Sequence, residues 1–318
     1  MNDQNATTAA TQASPSASVA GPVDVDPARR ARVLVEALPF IRRFSGHTIV
    51  VKLGGAAIEG GDVEPVLQDV VLLRFVGLRP VLVHGGGPAI SAWQRRVGIE
   101  SRFVNGLRVT DAETMELAKM VLTGKIGPGL VADIHRLGGQ AIGLSGEDGP
   151  TLLVTPRSAE AGEDLGFVGD VAQVNAEPIE SILDQGRIPV VASIGLGYDG
   201  RAYNVNADSV AAELAVALHA TKLLILTDVE GVRDSDGSLI SELDAPRALR
   251  LIESGTVSGG MIPKLHAAIR ALDGAQAAHV IDGRVPHSLL LELLTESGVG
   301  TMVVRQAGGG AAAPPAPS

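Results

Sequence analysis

Thr48-Ile49-Val50-Val51-Lys52-Leu53-Gly54-Gly55 is the stretch from which the fold can be read. Its β-branched run ends in one lysine and two glycines, the pattern of a buried strand that delivers a positive charge into a loop of bare backbone N–H groups. Such a loop can cradle an anion. The design recurs at Val81-Leu82-Val83-His84-Gly85-Gly86-Gly87-Pro88, where a second apolar strand empties into three glycines and a helix start. Either loop alone reads equally well as a tight turn, but two on neighbouring strands can hold two anionic groups face to face.

Working outward, strands and helices alternate. Asp62 to Val76 is expected to be a helix with Pro65 in its first turn and Val66, Val70 and Leu73 on the buried side. Pro80 to His84 is then a strand and Pro88 to Arg96 a helix. This order predicts an α/β fold: a mostly parallel central sheet, joined by right-handed crossovers and sandwiched by helices. Ligands of such sheets gather at the carboxyl ends of the strands, where both glycine loops fall. Thr110 with Glu113 forms a capping box for a helix to about Leu122, and a turn and strand follow at Gly138 to Leu144. Thr151 to Gln173 reads as paired antiparallel strands with loops, a candidate lid. Glu177 to Gln185 is helical, Ile188 to Ile194 strand-like, and an alanine-rich helix runs through about Leu218.

The second half begins near Ala220, with a strand at Lys222 to Thr227, a ligand-facing loop at Asp228 to Val232, and a helix at Asp244 to Glu253. The glycine pair Gly259-Gly260 then opens a helix with Lys264 in its first turn, an electrostatically misplaced cation that suggests a nearby anion. The expected organisation is two lobes, 46–219 and 220–305. A helix over 27–45 precedes them, with Leu34, Leu38 and Ile41 on one face and a kink at Pro39. That face could pack on its own domain or dock on a neighbouring subunit. Residues 1–26 and 306–318 are expected to be disordered tails.

With 318 residues and 45% hydrophobic content, the chain can bury a core large enough for two lobes. A net charge of −10 argues against nucleic acid or an anionic membrane as the main partner, so an anionic ligand must be held by local positive charge. Cysteine is absent, and the seven histidines have no metal-ligand spacing, so no dedicated metal site is expected. No apolar run approaches the roughly 18 residues of a membrane span, and no secretory signal is legible; the expected location is the cytoplasm.

The candidate chemical groups are Lys52 and Lys264 on glycine loops, Asp208 in Tyr203-Asn204-Val205-Asn206-Ala207-Asp208, and Arg108 in Asn105-Gly106-Leu107-Arg108-Val109-Thr110. Asp208 can hold both lysines, and a loop-borne guanidinium can clamp a carboxylate on two prongs, although this loop taken alone reads more readily as a surface arginine paired with Asp or Glu. The set fits phosphoryl transfer between two anions, where the protein positions the partners and neutralises charge. A carboxylate acceptor is already ionised and needs no general base. Other motifs fail: Gly124-Lys125 is followed by Ile126 rather than Ser or Thr, Gly143-Leu144-Ser145-Gly146-Glu147 lacks the last glycine of a nucleophile elbow, and Gly54-Gly55-Ala56-Ala57 is not a dinucleotide fingerprint.

The motifs KLGG (52–55), HGGG (84–87), NGLRVT (105–110), YNVNAD (203–208), TDVEGV (227–232) and GGMIPK (259–264), in this order, resemble the acetylglutamate kinases of the amino acid kinase family. The resemblance spans roughly Pro27 to Arg305; related carbamate kinases, aspartokinases and uridylate kinases share the first lysine and glycines but not the full set. It implies ATP-dependent phosphorylation of the side-chain carboxylate of N-acetyl-L-glutamate, the second step of arginine synthesis, with Mg²⁺ bound through ATP phosphates. Lys52 and Lys264 would stabilise the moving phosphoryl group and the leaving ADP, and Asp208 would orient both. Gly86, Gly87, Arg108 and Asn204 would bind the substrate. Gly54, Gly55, Thr227, Asp228, Val229, Gly231, Val232, Ser258 and Gly260 would line the ATP site. The N-terminal helix and the run His279 to His287 are similar to an arginine-inhibited, hexameric branch, in which His279, Glu292 and Gly298 would bind L-arginine. The alternatives are another kinase of the family, acting on carbamate, aspartate or glutamate, and a non-catalytic arginine-responsive binding protein.

Overall fold

The computed structural model describes residues 26–55, 63–157, 164–295 and 298–306. In chain order the strands are β1 (Thr48–Leu53), β2 (Arg79–His84), the hairpin β3 (Phe103–Val104) and β4 (Leu107–Arg108), β5 (Ala141–Ser145), β6 (Leu152–Pro156) and β7 (Val168–Val174). They continue with β8 (Ile188–Ala192), β9 (Ile194–Gly197), β10 (Ala202–Val205), β11 (Lys222–Thr227), β12 (Glu242–Asp244), β13 (Ala277–Asp282) and β14 (Thr301–Val304). Eight of them form one sheet in the order β12-β14-β13-β11-β1-β2-β8-β5. It is mostly parallel, as expected; β13 and β14 pair antiparallel. Strands from the first half of the chain occupy one side and strands from the second half the other, and the halves meet where β1 pairs in parallel with β11.

Side chains of a strand alternate between faces, and β1 shows what this does. Ile49, Val51 and Leu53 enter a core with Leu67, Val70 and Leu73 of the Glu64–Phe75 helix. Val50 enters the opposite core with Val210, Ala211 and Leu214 of the Ala207–Ala217 helix, and with Leu265 and Ala268 of the Met261–Ala271 helix. Lys52 has the parity of Val50 and therefore points toward those two helices. The sheet is covered on both faces, which is why its central strands are apolar between their ends, Lys52 apart.

Several expectations are corrected. The helix after Thr110 is capped by Asp111, whose carboxylate accepts from the Thr114 N–H at 2.8 Å. The Thr110 hydroxyl instead donates to the Arg108 carbonyl, and the Thr110 backbone pins residues 165–167. That helix, Ala112–Lys119, does not stop near Leu122; it passes through a π-helical turn, Met120–Ile126, into a further helix, Gly127–Arg136. Pro128 has no N–H for the regular ladder, a reason for the widened turn just before it. β6 and β7 are an antiparallel pair, but they close with β9 and β10 into a four-stranded barrel rather than standing clear as a flap.

Pro39 onward forms one compact unit. The Pro27–Phe44 helix begins in a separate unit, where Val33, Leu34, Val35 and Leu38 are exposed, Leu34 by 71%. The expected tails lie almost wholly outside the described residues. Among the described residues no helix is long and apolar enough to cross a membrane.

Candidate active site

Lys52, Asp208 and Lys264 meet. Asn206 caps the Ala207–Ala217 helix, its side-chain oxygen accepting from the N–H groups of Asp208 (2.8 Å) and Ser209 (3.2 Å). This fixes Asp208 in the first turn, buried beneath β1. Its Oδ1 lies 2.7 Å from Lys52 Nζ and its Oδ2 3.1 Å from Lys264 Nζ. Burial opposes the Asp208 charge, but the two ammonium groups outweigh it and hold the carboxyl below its usual range. Burial pulls the Lys52 ammonium below its ordinary range, against the attraction of Asp208 and with the repulsion of Lys264. One carboxylate between two ammonium groups leaves a surplus positive charge at the carboxyl edge of the sheet.

The glycine loops surround this cluster. A Cβ on Gly55 would come within 2.7 Å of Pro88 Cδ, one on Gly54 within 3.0 Å of the Leu226 carbonyl, and one on Gly86 within 2.4 Å of Ile126 Cδ1. The loops after β1 and β2 therefore pack against each other, the end of β11 and the π turn, and larger residues would push them apart. His84 begins the second loop. Its ring is wholly buried, Nδ1 facing the Gly85 carbonyl at 3.2 Å and Nε2 without a partner among the described residues.

Burial pushes the His84 pKa from 6.5 down to about 4. Well above pH 6.5 the ring is neutral whether the chain is folded or unfolded. As pH falls toward 4 the unfolded chain takes the proton first, so stability is expected to drop by about 2 kcal/mol at pH 5 through this group. Urea titrations of wild type and His84→Asn at pH 7.5 and pH 5 should reveal it: the stability gap between them should narrow by about that amount on acidification. An unchanged gap would refute it.

Arg108, at the end of β4, is buried rather than paired on the surface. Its Nη2 donates to the Gly87 carbonyl (2.9 Å) and to Ser91 Oγ (2.8 Å), while Nη1 donates to Gln94 Oε1 and to Ser101 Oγ (3.2 Å). Asn204 Nδ2 reaches Thr110 Oγ1 at 3.3 Å. Gly86, Gly87, Arg108 and Asn204 are thus linked through the second glycine loop and the 105–110 segment.

The residues expected to line an ATP site are less uniform. Thr227 ends β11, its hydroxyl donating to Asp228 Oδ1 at 3.2 Å; Asp228, Val229, Ser258 and Gly260 are exposed on the same side as Lys264 or next to its helix start. Gly231 and Val232 are buried against Thr301, whose hydroxyl accepts from the Val232 N–H at 2.8 Å. The Val232 side chain is in the core and Gly231 has none, leaving only backbone for a ligand. A cleft of about 830 Å³ runs from Asn105 and Gly106 past Asn206 to Gly259, Gly260 and Pro263.

A second cavity of about 310 Å³ gathers His279, Glu292 and Gly298, as expected, with Arg43, Phe44 and Lys222, which the sequence reading did not single out. His279 Nδ1 donates to Glu292 Oε1 at 2.5 Å, and Glu292 Oε2 accepts from the Val299 N–H at 2.8 Å. Burial lowers the Lys222 pKa to about 8, despite the pull of Glu292. A Cβ on Gly298 would meet Glu292 Oε2 at 2.9 Å, so glycine lets the chain close over that carboxylate.

The model of the amino acid kinase family matches residues 47–282. An acetylglutamate kinase of Moorella thermoacetica is 52% identical over 292 residues, covering 88% of this chain and 99% of that protein. One of Synechococcus elongatus is 50% identical over 287 residues, covering 89% and 94%. Among solved structures, N-acetylglutamate synthase from Neisseria gonorrhoeae, complexed with coenzyme A and N-acetyl-glutamate, aligns with a TM-score of 0.79 at 28% identity; the match covers 87% of this chain and just under two thirds (64%) of the synthase. Carbamate kinase from Giardia lamblia bound to AMP-PNP, at 19% identity and a TM-score of 0.61 over 82% of this chain and 99% of that one, shares the fold. Motif order, sheet topology and these likenesses agree: the chain belongs to the amino acid kinase family, on the branch of the acetylglutamate kinases.

Proposed function

We propose that this enzyme transfers the γ-phosphoryl group of ATP to the side-chain carboxylate of N-acetyl-L-glutamate, giving N-acetyl-L-glutamyl 5-phosphate and ADP in arginine biosynthesis. The observation that carries the reading is the convergence of Lys52, from β1, and Lys264, from the Met261–Ala271 helix, on Asp208. A carboxylate oxygen attacks the γ-phosphorus as the bond to the bridging oxygen of ADP breaks. No proton leaves the acceptor, so no general base is needed. Negative charge spreads over the moving phosphoryl and the departing ADP, and the surplus positive charge lies where it forms. Lys52 serves the phosphoryl group, Lys264 the ADP side, and Asp208 keeps both in place.

Residues 46–219 would carry the N-acetylglutamate site and 220–305 the ATP site. Gly86, Gly87, Arg108 and Asn204 would hold the substrate; Gly54, Gly55, Thr227, Asp228, Ser258 and Gly260 would approach the nucleotide, with Val229, Gly231 and Val232 contributing backbone. Mg²⁺ would arrive with ATP, held through the phosphates, and would supply charge neutralisation there; among the described residues no three His, Asp or Glu side chains gather to hold a metal. L-arginine would bind in the 310 Å³ cavity, its guanidinium on Glu292, with His279 and Gly298 beside it. The exposed Val33, Leu34, Val35 and Leu38 favour a helix that docks on a second copy, as a hexamer of interlaced dimers requires.

An ADP-release assay with ATP and Mg²⁺ tests the reading. Turnover is expected with N-acetyl-L-glutamate and at least about 100-fold less with free glutamate, aspartate or carbamate. L-arginine should suppress it in wild type but not in Glu292→Ala. No turnover by folded protein would remove the kinase; turnover indifferent to arginine would remove only the regulation.

A further inference from the structure

Among the described residues Arg108 has no counter-ion. In a chain with 36 acidic residues against 26 basic ones, its buried guanidinium touches no carboxylate among the described residues. Its four Nη acceptors are neutral: Gln94 Oε1, Ser101 Oγ, Ser91 Oγ and the Gly87 carbonyl. The guanidinium lies 4.7 Å from the centre of the Phe103 ring, another neutral contact. A buried cation is ordinarily paired, so this charge is held ready for something that arrives with a negative one.

Gln94 is the centre of the socket. Its side chain, on the Gly87–Val97 helix, is wholly buried. Nε2 donates to Thr114 Oγ1 at 3.2 Å, and Oε1 accepts from Arg108 and from Ser101 Oγ, the latter at 2.6 Å. The opposite amide orientation would set two donors against each other, so the network fixes the oxygen toward the arginine. Glutamate has the same shape and would be the ordinary partner for a buried arginine. Glutamine gives the same support and leaves the charge unspent. The two serine contacts can be exchanged: a carboxylate can replace each hydroxyl as acceptor while the hydroxyl turns to donate.

We propose that Gln94 is a positioning residue that holds Arg108 oriented but uncompensated, so that the enzyme selects substrates with a second carboxylate besides the one phosphorylated. The inference rests on the kinase reading for the identity of the substrate. Gln94→Glu is the decisive variant, because it keeps shape and packing while supplying an internal carboxylate. It is expected to melt no lower than wild type, to raise KM for N-acetyl-L-glutamate about 100-fold, and to leave kcat and the ATP KM within about threefold. Gln94→Met, which removes support without adding charge, should raise that KM about 10-fold. N-acetyl-4-aminobutyrate, which keeps the acetamide and the reacting carboxylate but lacks the second, should be an equally poor substrate of wild type and Gln94→Glu.

Calorimetric titration with N-acetyl-L-glutamate runs in parallel. Binding without turnover by wild type would count against the kinase reading alone, and the inference would then stand on a Kd for Gln94→Glu weaker by the same factor. It is overturned if that variant binds or uses N-acetyl-L-glutamate within about twofold of wild type, if Gln94→Glu lowers use of the analogue by the same factor as use of N-acetyl-L-glutamate, or if wild type does not bind N-acetyl-L-glutamate at all.

Discussion

Lys52→Met is expected to lower kcat about 1,000-fold or more while the KM for N-acetyl-L-glutamate stays within a few fold. At about 1.4 kcal/mol per factor of ten, the lost stabilisation is about 4 kcal/mol. This exceeds the contribution of a typical hydrogen bond, because the Lys52 charge works inside the protein, where screening by water is weak. The fold should survive, since Asp208 keeps Lys264 at 3.1 Å and is not left as a lone buried charge. Methionine also fills much of the volume that the lysine stem occupied beside Val50 and the Ala207–Ala217 helix. Steady-state kinetics over both substrates, with a melting curve for each protein, separates the outcomes. A kcat within tenfold of wild type, or a fall in kcat matched by a collapse in melting temperature, would count against the assigned role.

Arg108→Lys is expected to cut kcat/KM for N-acetyl-L-glutamate by about 100-fold, almost entirely through KM. Lysine keeps the charge but loses the planar fork that satisfies Gly87, Ser91, Gln94 and Ser101 together. A two-pronged, charge-assisted contact to a carboxylate becomes a single one, and the difference is about 3 kcal/mol. Lysine also desolvates worse than arginine, so part of its charge is lost on burial. Kinetics with N-acetyl-L-glutamate at saturating ATP measures the effect. If kcat falls and KM does not, Arg108 supports the reacting geometry rather than recognising the substrate.

The Lys52–Asp208–Lys264 cluster was legible because each member breaks a local rule. Lys52 interrupts an apolar strand, Lys264 sits where a helix start repels it, and Asp208 follows two asparagines at a strand-to-helix junction. The parallel sheet was equally readable from the strand-helix alternation at 48–96. The Gly127–Arg136 helix was missed because its Gly-Pro-Gly opening reads as a break, and only the π turn carries the chain through it. Gln94, Ser91 and Ser101 gave no signal: their partner lies 7 to 17 residues away across a hairpin, and nothing periodic marks that distance. Lys222 and Arg43 were passed over for a related reason, as each looks like an ordinary flanking charge until the fold closes a cavity around it. The capping error at Thr110 arose because Thr110 and Asp111 both suit the role, and the choice depends on which oxygen a distant loop requires.

The ladder between β1 and β11 ties the two halves of the chain without a linker. Lys52 stands on one of the two strands of that ladder, at Lys52↔Ile225, so its height above the sheet edge is tied to the backbone hydrogen bonds of both halves. A substitution that shifted this register would displace the ammonium group along the strand by about 3.3 Å per residue.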